Sequence, residues 1–196
     1  MDTMAPLHCY GAHFKDLLRC QNGIRGTAYK VYQSETPHAF KGFSEEHLLV
    51  IWRFNKKAWI TGAIFSELLT LYAVPAWKEY CAKENLDFKI LLLIDNAPAH
   101  PINLDDLCEN IKVVFLPPNT TSLIQPMDQG AITAFKAYYL HRTFNQLIRG
   151  TDGEGKPTIQ QFCYDYNILK CINNIGESWA EVTQECMNGV GRDVVA

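Results

Sequence analysis

Two spacings of apolar residues recur along this chain, and each predicts its own kind of element. From Ala28 to Gln33, Tyr29, Val31 and Gln33 alternate with Lys30 and Tyr32, and Leu48 to Arg53 is a short, partly β-branched apolar run; both predict strands. Pro37 and Gly42 supply the turn chemistry of the intervening Ser34 to Gly42 stretch. Beyond Thr61 the period changes. Ile64, Phe65, Leu68, Leu69 and Tyr72 fall on one helical face, with Thr61 or Ser66 able to cap its start. Pro75 lacks an N–H, so it kinks this helix or opens a second piece carrying Trp77, Tyr80 and Cys81 to about Glu84.

Lys89 to Ile94 is a continuous Ile and Leu run, which predicts a central strand covered on both faces, and Ile111 to Leu116 is its β-branched counterpart. The residues between them can hold a short helix near Asn103 to Cys108, making a strand, crossover, strand unit. Pro117, Pro118 and Asn119 stop the second strand. A polar loop to Pro126 leads into a helix near Asp128 that buries Ile132, Phe135, Tyr139 and Leu140. Gly150 to Pro157 reads as a linker, Thr158 restarts helical spacing through Phe162, Tyr166 and Leu169, and another helix is expected from about Ser178. The segment before Thr27 reads as a weak strand or ordered loop, and Gly189 to Ala196 as a loose end. The class is α/β: a mixed sheet with flanking helices.

With 196 residues, 47% of them hydrophobic and 20% charged, the chain can bury one sizeable core and is not of disordered composition. Asp2, His8, His13, Lys15 and Asp16 interrupt the first residues, so no secretory signal is read and an intracellular protein is expected. The longest apolar run, Ile90 to Ile94, is far short of the roughly 20 residues that cross a bilayer, so no membrane partner is expected. Cys9, Cys20, Cys81, Cys108, Cys163, Cys171 and Cys186 are odd in number and form no Cys-x-x-Cys pair, which predicts reduced thiols. His8, Cys9 and His13 match no tetrahedral zinc spacing. A net charge of −3 argues against strong autonomous binding to DNA by phosphate neutralisation. The one basic cluster, Arg53, Lys56 and Lys57, has the makings of a solvated turn and is given a supporting role at best.

Two aspartates carry the candidate chemistry. Asp95 ends the most hydrophobic strand and Asp128 follows the loop leaving the neighbouring one, so a mixed sheet brings both to the edge where ligands collect. Carboxylates on rigid elements, with few cations near, are what Mg²⁺ needs. Two-metal phosphoryl transfer needs a third, bridging carboxylate, so two aspartates make half a site. The same residues also fit plainer roles: Asp95-Asn96-Ala97-Pro98 is ordinary turn chemistry, and Asp128 is an ordinary helix cap.

Three ordered stretches go further: Leu91-Leu92-Leu93-Ile94-Asp95-Asn96-Ala97-Pro98-Ala99-His100-Pro101, Val114-Phe115-Leu116-Pro117-Pro118-Asn119-Thr120-Thr121-Ser122, and Gln125-Pro126-Met127-Asp128-Gln129-Gly130. They resemble the DDE superfamily endonuclease domain of Tigger, Jerky and pogo transposase-derived proteins and centromere protein B. The resemblance extends through Tyr32-Gln33-Ser34-Glu35, Asn55-Lys56-Lys57-Ala58-Trp59 and Phe135-Lys136-Ala137-Tyr138-Tyr139-Leu140, covering roughly residues 28 to 185. It implies an RNase H-like fold in which Asp95 matches the second acidic ligand and Asp128 the third, each holding Mg²⁺ beside a DNA phosphate. The family's first ligand lies in an Asp-Glu-Thr-Gly-like motif, and none occurs here. Leu17 to Gly23 matches the second strand, so the first strand is expected to be missing. Asp2, Asp16 or another chain are the remaining sources of a third carboxylate. The paired N-terminal helix-turn-helix domains that read DNA sequence in this family have no match either.

The resemblance thus implies a divergent segment over residues 1–27, an endonuclease-like core over 28–149 and a helical extension over 150–196. The leading expectation is a transposable-element-derived, catalytically inactive domain in the nucleus that binds DNA weakly or without sequence preference. Two alternatives stand beside it: an active metal-dependent endonuclease or transposase, and a protein-interaction module using Trp52, Trp59, Trp77 or Trp179. His100 could orient Asp95 or a phosphate, but a histidine in a turn after Pro98 is expected to be exposed, and it is assigned no catalytic role. The sequence leaves the oligomeric state open.

Overall fold

The computed structural model describes residues 28–101, 109–118, 120 and 130–183. They fall into two compact units, 28–59 with 132–183, and 60–131 over its described part.

In the first unit, β1 (Tyr29–Tyr32) and β2 (Ile51–Phe54) pair in parallel, from Tyr29 opposite Ile51 to Tyr32 opposite Phe54. Parallel partners need a crossover connection. Pro37 and Gly42 therefore serve a loop holding two short 3₁₀ turns, His38–Phe40 and Glu45–His47, with Gly42 in the left-handed region at φ 81°. Phe40 and Tyr32 pack on the buried Trp52 ring at 4.8 and 5.5 Å between centroids, and Trp52 Nε1 donates to the Glu35 carbonyl at 2.9 Å. Lys30 is buried on β1, and desolvation pushes its ammonium pKa down to about 8.

Three helices complete this unit: α3 (Ile132–Thr151), α4 (Ile159–Asp165) and α5 (Ile168–Glu181). On α3, Phe135 and Tyr139 are buried. On α5, Ile168, Ile172, Ile175 and Trp179 form an inward stripe at helical spacing. A polar cluster lies inside: Asn174 donates to Thr143 Oγ1 at 2.7 Å and to Tyr166 Oη at 3.3 Å, and Thr143 donates to the Tyr139 carbonyl at 2.8 Å. Burial raises both phenol pKa values above their ordinary range. At the rim, Arg142 of α3 reaches Glu177 at 2.5 Å and also Glu181, both on α5.

Two sequence expectations are corrected here. The helical run from Thr158 through Leu169 breaks at Tyr166, and the helix expected from Ser178 already runs from Ile168, because Asn167 leaves helical geometry and accepts from Lys170 N at 3.0 Å as its cap. The reduced-thiol expectation also changes. Cys81 and Cys163 are free thiols, whereas Cys171 is disulfide-bonded.

In the second unit, α1 (Gly62–Leu68) is capped by Thr61, whose Oγ1 accepts from Ile64 N at 3.3 Å. A π-helical turn, Leu69–Ala73, then joins it to α2 (Val74–Lys83). Pro75 explains the wider turn: with no N–H it cannot close the bond to the carbonyl four residues back, and its ring needs room there. Strands β3 (Ile90–Ile94) and β4 (Ile111–Phe115) pair in parallel from Ile90 opposite Ile111 to Ile94 opposite Phe115. Cover on both faces is not found. Ile94, Ile111 and Val113 are buried, while Leu91, Leu93 and Val114 are exposed, the alternation of a sheet buried on one side. The helix expected near Asn103 to Cys108 lies outside the described residues, and the one expected from Asp128 is described from Gly130 onward. The class is α/β, as the alternation of strands and helices shows. No helix among the described residues is long and apolar enough to cross a membrane.

Candidate functional site

Asp95 follows the last residue of β3, beside the end of β4, where Leu116 N donates to the Ile94 carbonyl at 2.8 Å. The chain turns at once. Asp95 Oδ1 accepts from Ala97 N at 3.1 Å, and His100 N donates to the Ala97 carbonyl at 2.9 Å. This brings the His100 ring back under the strand end, where Nδ1 lies 2.9 Å from the Asp95 carbonyl and 3.0 Å from Asp95 Oδ1. Both neighbours are acceptor oxygens, so the geometry assigns a proton to Nδ1, shared between them. Phe65 of α1 packs on the imidazole at 4.4 Å between centroids, and the His100 side chain is only 5% exposed. His100 is thus a buried part of the site, contrary to the exposed turn residue expected from sequence. The Asp95 side chain is 17% exposed, and no described residue bonds its Oδ2.

That open oxygen suits one coordination position of a hard divalent cation. Among the described residues no group of three or more His, Cys, Asp or Glu side chains is placed to hold a metal. Asp128, Asp2 and Asp16 lie outside the described residues, as do His8, Cys9 and His13.

The basic cluster lies in the first unit, on the turn leaving β2. Lys56 and Lys57 are exposed, and Arg53 donates from Nη1 to the Trp52 carbonyl at 2.6 Å. Of the four tryptophans proposed for an interface, Trp52, Trp77 and Trp179 are buried core, and Trp59 is 58% exposed. An open groove lined by Lys89, Ile90, Leu91, Glu109, Asn110 and Lys112 sits at the amino end of the β3–β4 pair, the end away from Asp95.

Asp95, His100 and Trp59 all fall within residues 22–190, the stretch matched by a family model described as DDE superfamily endonuclease. The chain belongs to the DDE endonuclease superfamily. Among relatives of this superfamily domain, Tigger transposable element-derived protein 7 of Homo sapiens is 33% identical over 154 residues, which cover 70% of this chain and 27% of the relative. Jerky protein of Mus musculus is 28% identical over 184 residues, 88% of this chain and 30% of the relative. ARS-binding protein 1 of Schizosaccharomyces pombe is 31% identical over 154 residues, 74% of this chain and 27% of the relative. The chain therefore spans less than a third of the length of these relatives. No solved structure matches it.

Asp95 lies at the strand end where the sequence places it, and His100, read from sequence as exposed, is buried against it. The available signal was the spacing of Asp95, Pro98 and His100, which lets a tight turn return the imidazole to the strand end.

Proposed function

We propose that this chain is a transposase-derived, DNA-associated domain of RNase H-like architecture that acts in the nucleus and does not cleave DNA by itself. The observation that carries the DNA-facing role is Asp95, held by the buried His100 at the carboxyl end of a parallel strand pair, inside the stretch matched to the endonuclease family. The printed name of ARS-binding protein 1 supports a DNA partner, and the nuclear setting follows from that partner. The inactive reading rests on the count of carboxylates: two-metal chemistry takes three, and Asp95 and Asp128 supply two of them.

If Mg²⁺ binds, Asp95 and Asp128 would hold it, and it would supply charge neutralisation at a phosphate oxygen. His100 keeps the Asp95 carboxylate oriented by engaging Oδ1, which leaves Oδ2 to face a ligand. Phe65 excludes water from the imidazole.

The test combines duplex binding with a nicking assay on supercoiled plasmid in Mg²⁺ and in Mn²⁺. Salt-sensitive duplex binding without nicking is the expected pair of results. Metal-dependent nicking that disappears in Asp95→Asn and Asp128→Asn would make the chain an active nuclease and sink the inactive reading. No binding at low salt to either a duplex or a single strand would remove the DNA role.

A further inference from the structure

The turn leaving β2 carries two ammonium groups and an indole on a backbone locked from within. Asn55 Oδ1 accepts from Lys57 N at 3.0 Å and from Trp59 N at 3.2 Å, its amide donates to the Trp59 carbonyl, and Ala58 N donates to the Asn55 carbonyl at 2.9 Å. Ala58 takes φ 52°, a left-handed conformation that a residue with a Cβ adopts only when its surroundings impose it. The Asn55 side chain is what imposes it. The turn is tied to the sheet as well, since Asn55 N donates to the Tyr32 carbonyl at 2.9 Å, at the carboxyl end of the parallel β1–β2 pair. Ligands of parallel strands collect at that end.

What this rigid turn presents is specific. Trp59 is 58% exposed while the other three tryptophans are at most 7% exposed, so here alone among them the indole was not used for core. Lys56 and Lys57 are exposed beside it, and among the described residues neither ammonium is paired with a carboxylate. The net charge of the chain is −3, so this is a local concentration of positive charge and not a general surplus. A planar apolar face next to two cations matches a ligand with exposed π-faces strung on an anionic backbone. An acidic protein surface would satisfy the lysines but make no use of the exposed indole.

We propose that the Asn55–Trp59 turn contacts unpaired nucleic acid, with Trp59 stacking on a base while Lys56 and Lys57 meet the flanking phosphates. This rests on the DNA-associated reading above and deepens it, because it names unpaired bases as the feature recognised. Holding the turn in place beforehand reduces the ordering cost of the contact.

The experiment measures anisotropy of a fluorescein-labelled 20-mer, as a single strand and as a duplex, with the full chain across a salt series. Trp59→Ala is expected to weaken single-strand binding by roughly fivefold or more, given about 1–3 kcal/mol per stacked base. Trp59→Tyr should recover most of that loss, as a merely packed indole would not. The double variant Lys56→Ala/Lys57→Ala is expected to lower the salt slope by roughly 1.4, at about 0.7 per phosphate contact on a single strand. Its positions are exposed, so it decides the matter even if Trp59→Ala fails to fold. Wild-type binding with affinity and slope unchanged in all variants would overturn this contact and leave the DNA reading standing. Wild-type binding to neither oligonucleotide would end both. Binding to phosphatidylserine vesicles without binding to either oligonucleotide would make the turn a lipid-facing surface and overturn the proposal.

Discussion

His100 Nδ1 stands 2.9 Å from the carbonyl oxygen of Asp95 and 3.0 Å from its Oδ1, so one imidazole pins both the backbone and the side chain of the same residue. Few arrangements fix a carboxylate so directly, because a side chain held only through its own χ angles keeps torsional freedom that this one has lost.

His100→Ala removes a buried ring and the donor shared by the Asp95 carbonyl and Oδ1, leaving Oδ1 with Ala97 N. A loss of about 2–4 kcal/mol in unfolding free energy is expected, measured by urea denaturation. His100→Asn, which restores a donor of similar reach, should recover part of that loss, whereas His100→Phe, which restores packing alone, should recover less. Equal recovery by both would mean that the ring matters for its volume and not for its hydrogen bond.

Lys30 gives a pH signature. Its folded pKa of about 8 lies below the ordinary value of 10.5, so the fold disfavours the charged form. The penalty is complete below pH 8 and is relieved as pH rises from 8 toward 10.5, where the folded state has lost a proton that the unfolded state keeps. Stability should therefore climb over that window by an amount on the order of 3 kcal/mol. Lys30→Met should be more stable than wild type at pH 7, with the difference shrinking toward pH 10. Comparing the two proteins cancels the buried phenols, which titrate in both. A pH-independent difference would show that Lys30 reaches solvent when charged.

Gly176 sits on α5 where a Cβ would collide with Leu49 Cβ and come within 3.1 Å of the Leu49 carbonyl oxygen. Alanine favours a helix by roughly 1 kcal/mol over glycine. Here the collision is with backbone and Cβ atoms that cannot swing away, so Gly176→Ala should be destabilising on balance, by about 1–3 kcal/mol in thermal or urea unfolding. A rise in stability would mean that the Leu49 segment moves aside freely.

Asn174 and Arg142 offer a contrast on one helix pair. Asn174→Ala leaves Thr143 and Tyr166 short of a buried partner and should cost about 2–4 kcal/mol in chemical denaturation. Arg142→Ala breaks a rim contact with Glu177 and Glu181 that water can replace, and should cost about 1 kcal/mol or less. The reverse order would place the organising interaction at the rim.

The legible parts of the sequence were those decided locally. Thr61 announced α1, Thr158 announced α4, and the apolar runs at Ile90 and Ile111 announced β3 and β4, because caps and strand runs depend on neighbours in the chain. Tyr166 misled because its apolar ring continues the helical spacing of Phe162, while the break depends on Asn167 leaving helical geometry. The burial of His100 could not be read at all, since it comes from Phe65 on a distant helix. The position of Asp95 just after β3 was legible because the apolar run before it ends there. The conformation of the Asn55–Trp59 turn was invisible, because bonds from one asparagine to three atoms leave no trace in hydrophobic spacing.

The π-helical turn at Leu69–Ala73 changes which way everything after it faces. Phe65, Leu69, Ala73, Trp77 and Cys81 are all buried, yet they are spaced by four residues, a step at which a regular helix drifts by about 40° each time. One surplus residue in the wide turn takes up about 100° of the roughly 160° that accumulates from Phe65 to Cys81, which brings the five side chains closer to one line. Shortening the turn by a single residue would swing Trp77 and Cys81 round by about 100° and expose them, even though no side chain had been altered.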